Sequence, residues 1–118
     1  MIKRHFIKNE NGSVAVLTAL AIIVLAGLSA FAIDFGRAYL ERQKFQTAID
    51  AASVAAAWDL PDQTKAAATA KQYMVLNGFA ESDIDTPTFP NTMTIRVKGS
   101  KNVDYTFAKV IGFNSVTV

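Results

Sequence analysis

The pattern of hydrophobic positions is dominated by an uncharged apolar run from Ser13 to Ile33, which reads SVAVLTALAIIVLAGLSAFAI. A helix rises about 1.5 Å per residue, so this run extends about 30 Å, the thickness of a bilayer's hydrocarbon core. A single segment crosses lipid only as a helix, because every backbone N–H and C=O group must be paired within the segment. The run therefore predicts a transmembrane helix at 13–33.

The helical pattern continues beyond the run as an amphipathic stripe. Apolar residues recur at spacings of three and four, which is typical of one helix face, and no proline occurs before Pro61. We therefore expect one helix from about Ser13 to Trp58, with this stripe and the aromatic residues Tyr39 and Trp58 packed against the rest of the domain. The stripe consists of Phe35, Ala38, Tyr39, Phe45, Ala48, Ile49, Ala52, Ala55 and Ala56.

A second helix is predicted from about Gln63 to Asn77, folded back on the first. Pro61 breaks the first helix, because proline lacks the N–H donor and restricts the residue before it. Asp62 is a suitable N-cap, and Gly78 supplies a left-handed C-terminal stop.

Strand-like segments follow in the C-terminal part. We expect a short edge strand at Thr86–Phe89 and a half-buried strand at Thr92–Lys98, where apolar and polar residues alternate. The spacing of apolar residues in Val103–Ile111 predicts a short helix that ends at Gly112. Ser115–Val118 alternates again. The β-helix-β order favours pairing of this last strand beside Thr92–Lys98, with a parallel arrangement as the option that a helical crossover allows.

The charge distribution predicts the orientation of the chain. Lys3, Arg4 and Lys8 precede the apolar run and are opposed only by Glu10, whereas both signs of charge follow it. Basic residues stay on the cytoplasmic side, so the N-terminus is expected inside and residues 34–118 outside. The net charge of +2 is concentrated before the run, and no nucleic-acid partner is predicted.

Three interpretations of the apolar run compete. An uncleaved signal anchor is the default. The second is a prepilin-type signal processed between Gly12 and Ser13, although Leu17 stands at the fifth mature position, where pilin-type substrates usually carry glutamate. The third is secretory cleavage after Ala32, for which Ala30-Phe31-Ala32 fits the small-x-small pattern, although the run is long for an ordinary signal peptide.

The sequence offers few residues for chemistry. There is no cysteine, and the single histidine, His5, lies among basic residues without a second ligand nearby. Asp83 and Asp85 have the spacing of calcium ligands, but the glycine and distal glutamate of that loop are missing. We therefore predict no catalytic residue, no metal site and no cofactor.

Small residues in the run favour helix packing. Ala15 and Ala19, like Ala26 and Ala30, form small-xxx-small pairs that let helix backbones approach closely. We expect Asp34 and Arg37, at the outer membrane boundary, to pair weakly with each other or with a neighbouring subunit. The predicted packing and assembly positions are Ala15, Ala19, Ala26, Gly27, Ala30, Asp34 and Arg37.

Several motifs together resemble a known family. A basic leader precedes N-G-S-V-A-V-L-T-A-L-A, then A-I-D-F-G-R-A-Y-L and Q-x-A-I-D-A-A-S-V-A-A-A. This N-terminal region is similar to that of TadG-like proteins of the tight-adherence (Flp) pilus-assembly group, to which the TadE-like pseudopilins are related. The later M-T-I-R-V-K-G, Y-T-F-A-K-V-I-G and S-V-T-V are similar to the ectodomain pattern of that group. TadE-like proteins carry the pilin glutamate where Leu17 stands here.

The resemblance implies a bacterial, membrane-anchored, pilin-like component of a surface fibre, with no enzymatic activity. TadG-like proteins often continue into a large adhesion-type domain, and no adhesive role is carried over to this chain. The expected fold class is α+β and pilin-like: a long N-terminal helix, transmembrane and then amphipathic, packed on a small ectodomain of a second helix, a short helix and a few β-strands. The expected divisions are a cytoplasmic basic leader (1–12), the transmembrane helix (13–33) and an extracytoplasmic pilin-like domain (34–118).

The expected role is assembly through the N-terminal helix in the bacterial inner membrane or in an extracellular fibre. The expected partners are membrane lipid, other copies of the chain, other pilus subunits and assembly-machinery proteins. Two alternatives remain open. In the first alternative, the chain is the main repeating subunit of an extracellular filament. In the second, it is a soluble periplasmic binding module released by cleavage after Ala32.

Overall fold

A computed structural model describes residues 11–118 of the protein. The basic leader, with His5 and the charges that predict orientation, lies outside the described residues. The first helix, α1, is unbroken from Asn11–Ala57, so it extends about 70 Å. Its span confirms the expected single long helix.

The second helix, α2, spans Gln63–Leu76 and reverses direction against α1. The Asp62 side chain accepts a hydrogen bond from the Lys65 backbone N–H at 3.0 Å, which confirms the predicted N-cap. Beyond the C-terminus of α2, Gly78 adopts a left-handed conformation with φ of 84°, as the sequence predicted.

The core lies where α1 and α2 meet, and half of its ten buried residues are alanines. Alanine lets two helices approach closely, and methionine fills the irregular space that remains. Beside this interface, the Phe45 and Phe79 rings pack edge to face with their centroids 5.1 Å apart. The buried residues of the cluster are Phe45, Ala48, Ile49, Ala52, Ala56, Ala66, Ala70, Met74, Phe79 and Ile84.

The predicted stripe on α1 is too wide. Phe35, Tyr39 and Trp58 are 63%, 57% and 86% exposed, so their assignment to internal packing is wrong. Successive helix residues are about 100° apart, which places Phe35 about 60° and Tyr39 about 100° around the helix from the buried Ala38. The domain covers only the face of α1 centred near Ala38. Trp58 lies in the turn after α1, outside that face.

Two antiparallel hairpins complete the domain. In the first, β1 (Thr88–Asn91) pairs with β2 (Thr94–Arg96), so strands exist near both predicted positions but are shorter or shifted. In the second, β3 (Asn102–Asp104) pairs with β4 (Ser115–Thr117). The described residues therefore form an α+β structure, as expected.

The segment between the two hairpins explains the need for glycine at position 99. A single antiparallel bridge joins Ile84 to Gly99. A Cβ at position 99 would collide with the backbone oxygen of Asp83 and would lie 3.0 Å from the Phe45 ring. Only glycine lets the two backbones approach this closely above the core.

The structure corrects the predicted helix at Val103–Ile111. Val103 lies in β3 opposite Val116, and only Ala108–Ile111 forms a 3-10 turn, ended by the left-handed Gly112 with φ of 94°. Consequently β4 pairs with β3 and runs antiparallel to it, and the expected pairing beside Thr92–Lys98 is wrong. A parallel connection requires about a dozen or more residues and usually a helix, whereas this loop suits a hairpin.

Lys101 fastens the second hairpin to the long helix. Its ammonium group lies 4.6 Å from the centroid of the Phe79 ring and 3.8 Å from Glu41 Oε2 on α1. The charge therefore interacts with an aromatic face and a carboxylate at once. Because both contacts reach elements N-terminal to the hairpin, they hold β3 alongside α1.

Asp59 fastens the turn between the helices to α2. Its carboxylate lies 2.7 Å from Lys65 Nζ and accepts a hydrogen bond from the Thr69 hydroxyl. The hydrogen bonds from Lys65 and Thr69 hold the pKa of Asp59 below its ordinary value of 3.8 despite the opposing effect of burial. The hydrogen bond to Asp59 and its charge raise the pKa of Lys65 above 10.5.

Truncation of Met74 tests the packing of the helical hairpin. Met74 is fully buried, so Met74→Ala should lower the free energy of unfolding by about 2–5 kcal/mol through lost burial and an unfilled cavity. Leu76→Ala is the control on the same helix, because Leu76 is 70% exposed, and it should cost about 0.5 kcal/mol or less. Denaturation in detergent, followed by near-UV circular dichroism, measures both. Equal costs would contradict this packing.

The Asp59 contacts predict a pH-dependent contribution to stability. Since folding lowers the pKa of Asp59, its contribution is complete above the ordinary value of 3.8 and is lost as pH falls through the folded-state pKa. The contribution of Lys65 to stability has the opposite pH dependence. It is complete below pH 10.5 and is lost as pH rises beyond the raised pKa of Lys65. Asp59→Asn should therefore lower the melting temperature at pH 7, and the difference from the unaltered chain should shrink as pH falls below 3.8. A difference that does not shrink as the solution is acidified would refute the linkage.

Candidate functional site

Asp34 is the first charged residue after the apolar run, and it is buried, with only 3% of its surface exposed. Its carboxylate accepts three backbone hydrogen bonds from the far end of the chain. Oδ1 accepts from the N–H of Thr106 at 3.0 Å, and Oδ2 accepts from those of Phe107 at 2.7 Å and Ala108 at 2.6 Å. These amides precede or begin the 3-10 turn at Ala108–Ile111, where helical bonding leaves donors free. Asp34 thus caps this turn from α1.

Arg37 lies one helical turn further along and strengthens the same attachment. Its Nη1 donates a hydrogen bond to the Thr106 hydroxyl oxygen at 2.6 Å. Asp34 and Arg37 therefore hold the segment 106–108 from two positions on α1. We call this arrangement, consisting of Asp34, Arg37 and residues 106–108, the clamp.

The electrostatics of the clamp favour a charged carboxylate. Burial alone would raise the pKa of Asp34, but hydrogen bonds from the amides of Ala108, Thr106 and Phe107, together with the charge of Arg37, hold that pKa below its ordinary value. A carboxylate that accepts several backbone N–H bonds is stabilised in its ionised form. Asp34 is therefore a structural anion at neutral pH.

The clamp positions an exposed apolar segment, residues 107–113, which we call the apolar loop. Four large hydrophobic side chains in this loop lie open on the surface: Phe107, Val110, Ile111 and Phe113 are 47%, 88%, 67% and 61% exposed. Beneath the loop, a cavity of about 260 Å³ is lined on the α1 side by Gly27, Ala30 and Phe31. The loop therefore extends beside the part of α1 that belongs to the apolar run.

A second exposed apolar surface, the aromatic face, consists of Phe31, Phe35 and Tyr39 on α1. The Phe31 and Phe35 rings stack with their centroids 6.3 Å apart. Beside Phe35 and Tyr39, a groove of about 330 Å³ continues to Tyr105 and Val116 in the second hairpin. The groove is lined mainly by apolar and aromatic side chains, together with Arg42, and therefore offers a packing surface.

The predicted packing positions within the apolar run lie on the part of α1 that the rest of the domain leaves largely uncovered. Ala15, Ala19 and Ala26 are exposed, whereas Ala30 is partly covered near the apolar loop. At about 100° per residue, these four alanines fall within about 60° of one another around the helix. Gly27 is exposed and lines the cavity, and Gly12 and Ser13 lie in the first turn of α1. Processing at Gly12 and the assembly role of the alanines stay predictions.

Asp34 and Arg37 were predicted at the membrane boundary as a weak pair or an intersubunit pair. The structure places both in contacts with residues 106–108 of the same chain. Sequence analysis missed this clamp and the exposure of the apolar loop. One signal was available: Asp34 lies four residues before Ala38 and eleven before Phe45, which places an acidic side chain on the buried face of α1.

Within residues 11–118, no group of three or more histidine, cysteine or acidic residues is arranged to hold a metal ion. Asp83, one of the two aspartates considered as calcium ligands, accepts a hydrogen bond from the Ala80 backbone N–H at 3.0 Å. Its carboxylate therefore caps the 3-10 turn at Glu81–Asp83. Asp85 is exposed, and its backbone N–H donates a hydrogen bond to the backbone carbonyl oxygen of Lys98.

Removal of the Asp34 carboxylate tests the clamp. Asp34→Ala leaves the amides of residues 106–108 without their acceptor, so their hydrogen exchange should accelerate at least tenfold, while the amides of α2 remain protected. Asp50→Ala is the matched control, because Asp50 lies on the same helix and is exposed, and its side chain accepts a hydrogen bond from Gln46, one turn away on that helix. Unchanged exchange at residues 106–108 in Asp34→Ala would refute the clamp.

Comparison with known proteins places the N-terminal part of the chain. Residues 12–59 match a family model of the Tad group, described as "Putative Flp pilus-assembly TadE/G-like". No curated protein matches the chain. No solved structure matches it either. The match covers nearly all of α1 and the start of the following turn. It confirms the resemblance found in the sequence, because residues 12–59 are similar to the TadE/G-like Flp pilus-assembly family.

Proposed function

We propose that this protein is a non-enzymatic structural component of a bacterial tight-adherence-type pilus or a related surface fibre, and that it assembles through α1. The observation that carries the proposal is the coincidence of the family match with α1. Residues 12–29 of this helix expose all their side chains, and α1 is the helix of the described chain that is long and apolar enough to cross a membrane. A helix that is apolar all round requires lipid or other helices around it.

The proposed mechanism has two steps. First, the segment 13–33 partitions into the inner membrane, with the basic leader in the cytoplasm and residues 34–118 outside, as the positive-inside rule favours. Second, subunits associate through α1, whose surroundings change from lipid to a fibre core of similar polarity. The domain outside the membrane has a pilin-like arrangement in this proposal, with a long helix packed on a small α+β unit.

The alanine stripe is the proposed packing surface between helices. Ala15, Ala19, Ala26 and Ala30 lie on one side of α1, and small residues let helix backbones approach within the membrane. Leu17 and Val24 lie on the opposite side, about 150–170° from the centre of the stripe. This difference allows equal bulk to be added to either side of the same helix.

The two alternative functions differ in whether the mature protein retains the apolar run. A main filament subunit would retain residues 13–33 and appear mostly in the sheared fibre fraction, as copies of this chain alone. A released periplasmic module would begin at Ile33. Asp34 would then remain, but Gly27, Ala30 and Phe31 beneath the apolar loop would be lost.

Double substitutions on α1 test assembly by helix packing. Ala19→Phe with Ala26→Phe should reduce crosslinked oligomers in membranes, and the amount of chain in sheared fibres, at least tenfold, because the bulky rings separate the helix backbones. Leu17→Phe with Val24→Phe is the control with added aromatic bulk on the opposite side, and it should assemble as the unaltered chain does.

The same fractions decide between the alternatives. Intact mass and N-terminal sequencing should find residues 13–33 retained in both the membrane and the fibre fraction. An equal loss of assembly in both double variants would refute packing through the alanine side. A functional, dissolved chain that begins at Ile33 would refute the proposed function altogether.

A further inference from the structure

The apolar loop is an unusual surface for a domain in water. Four large hydrophobic side chains lie exposed within residues 107–113, and Val110 at the tip of the 3-10 turn is 88% exposed. The single charged residue of this segment is Lys109, so the loop carries no acidic group. Clustered apolar exposure of this kind marks a contact surface for protein or membrane.

The position of the loop identifies which surface it meets. The clamp fixes Ala108 to Asp34, and the loop extends from there towards Gly27, Ala30 and Phe31. These three residues belong to the apolar run that ends at Ile33. Gly27 lies six residues before that end, which corresponds to about 9 Å along the helix. If α1 spans a bilayer, the loop is therefore below the end of the spanning segment.

We propose that the apolar loop inserts into the outer leaflet of the bilayer that α1 spans, and that lipid is its occupant. The proposal rests on the anchoring of α1 in the proposed function. The depth of about 9 Å agrees with the 5–10 Å at which amphipathic elements bury their apolar face at the boundary of headgroups and acyl chains. The exposed apolar surface of α1 continues directly into the loop, so one lipid-facing surface includes both.

The backbone of the loop is suited to this environment. Irregular backbone enters a lipid layer only where its polar groups have partners, because no water is available to bond them. Asp34 accepts from the amides of 106–108, and the amides of Val110, Gly112 and Phe113 donate to carbonyls within the loop at 3.0–3.1 Å. The buried carboxylate thereby removes three N–H groups that lipid could not satisfy.

The charges near the loop are compatible with a headgroup layer. Lys109 is exposed, and its long stem lets the ammonium reach phosphate groups while the neighbouring Val110 and Ile111 stay in the apolar layer. Arg37, on the outer side of Asp34, faces the same zone from α1. Basic side chains beside an exposed apolar surface are typical of elements that lie at an interface of lipid and water.

The chain contains no cysteine, so single cysteines can carry an environment-sensitive fluorophore. Val110→Cys reports on the loop, and Leu20→Cys reports on the spanning helix. Trp58→Cys is the matched control, because Trp58 is 86% exposed, close to the 88% of Val110, but lies about 36 Å beyond Asp34 along α1. The full chain is placed, one copy per disc, in lipid nanodiscs with and without brominated lipid.

Insertion predicts a blue-shifted emission for labelled Val110→Cys and at least twofold quenching by brominated lipid, as for labelled Leu20→Cys. Labelled Trp58→Cys should show neither effect. Quenching at position 20 without quenching at position 110 would overturn the inference and leave the anchoring of α1 intact. Absence of quenching at both positions would refute the anchoring, and with it this inference.

A second copy of the chain is the competing occupant of the loop. Shielding of position 110 that occurs only in discs with two copies, and without quenching by lipid, would overturn lipid as the occupant. Two double variants test whether the clamp holds the loop in the bilayer. In Asp34→Ala with Val110→Cys, quenching at position 110 should fall at least twofold. In Asp34→Ala with Leu20→Cys, quenching at position 20 should stay constant. Equal quenching with and without Asp34 would show that the clamp does not set the depth of the loop.

Discussion

The structure depends on one ionised carboxylate that joins the two ends of the domain. Asp34 lies where the apolar run of α1 ends, and its three hydrogen-bond donors come from residues more than seventy positions later. A buried charge is tolerated only when it is paired or fully hydrogen-bonded, and here the three amides of residues 106–108 supply the hydrogen bonds while the positive charge of Arg37 adds a favourable field. The second hairpin thereby takes its position relative to α1 from a polar contact as well as from the Lys101 contacts. Most of the alanine-rich core lies further along α1, against α2, and stabilises the domain by packing.

Sequence patterns predicted those elements that local rules determine. The extent of α1 followed from the unbroken helical periodicity before Pro61, and the limits of α2 followed from Asp62 and Gly78, whose capping chemistry acts within a few residues. The resemblance at 12–59 was also readable, because its motifs lie within one continuous segment. The prediction of an α+β structure was also correct.

Features that depend on distant contacts could not be predicted in the same way. Val103 has the spacing of a helix face with Phe107 and Val110, yet its pairing with Val116 places it in a strand. Periodicity also assigned the exposed Phe35 and Tyr39 to the core, because it cannot tell how wide a face the small domain covers. Trp58 was assigned to packing as a large aromatic residue, yet it is exposed in the turn after α1. The sequence position of Asp34 indicated only that an acidic side chain lies on the buried face of α1. Its partners are the backbone amides of residues 106–108. Every residue except proline has such an amide, so the sequence of this segment does not indicate the contact, and the clamp could be recognised only in the folded structure.

The continuity of α1 has a mechanical consequence. Residues 34–57 extend without a break from the segment 13–33. In the proposed membrane-anchored arrangement, a tilt of the spanning segment is therefore transmitted along the same helix to the domain. Transmembrane helices tilt by about 20° on average, and over the 24 residues beyond Ile33, a length of about 36 Å, such a tilt displaces Ala57 sideways by about 12 Å. In that proposed arrangement, a small reorientation of the segment 13–33 produces a larger displacement at the distal end of the domain, where Trp58 is exposed.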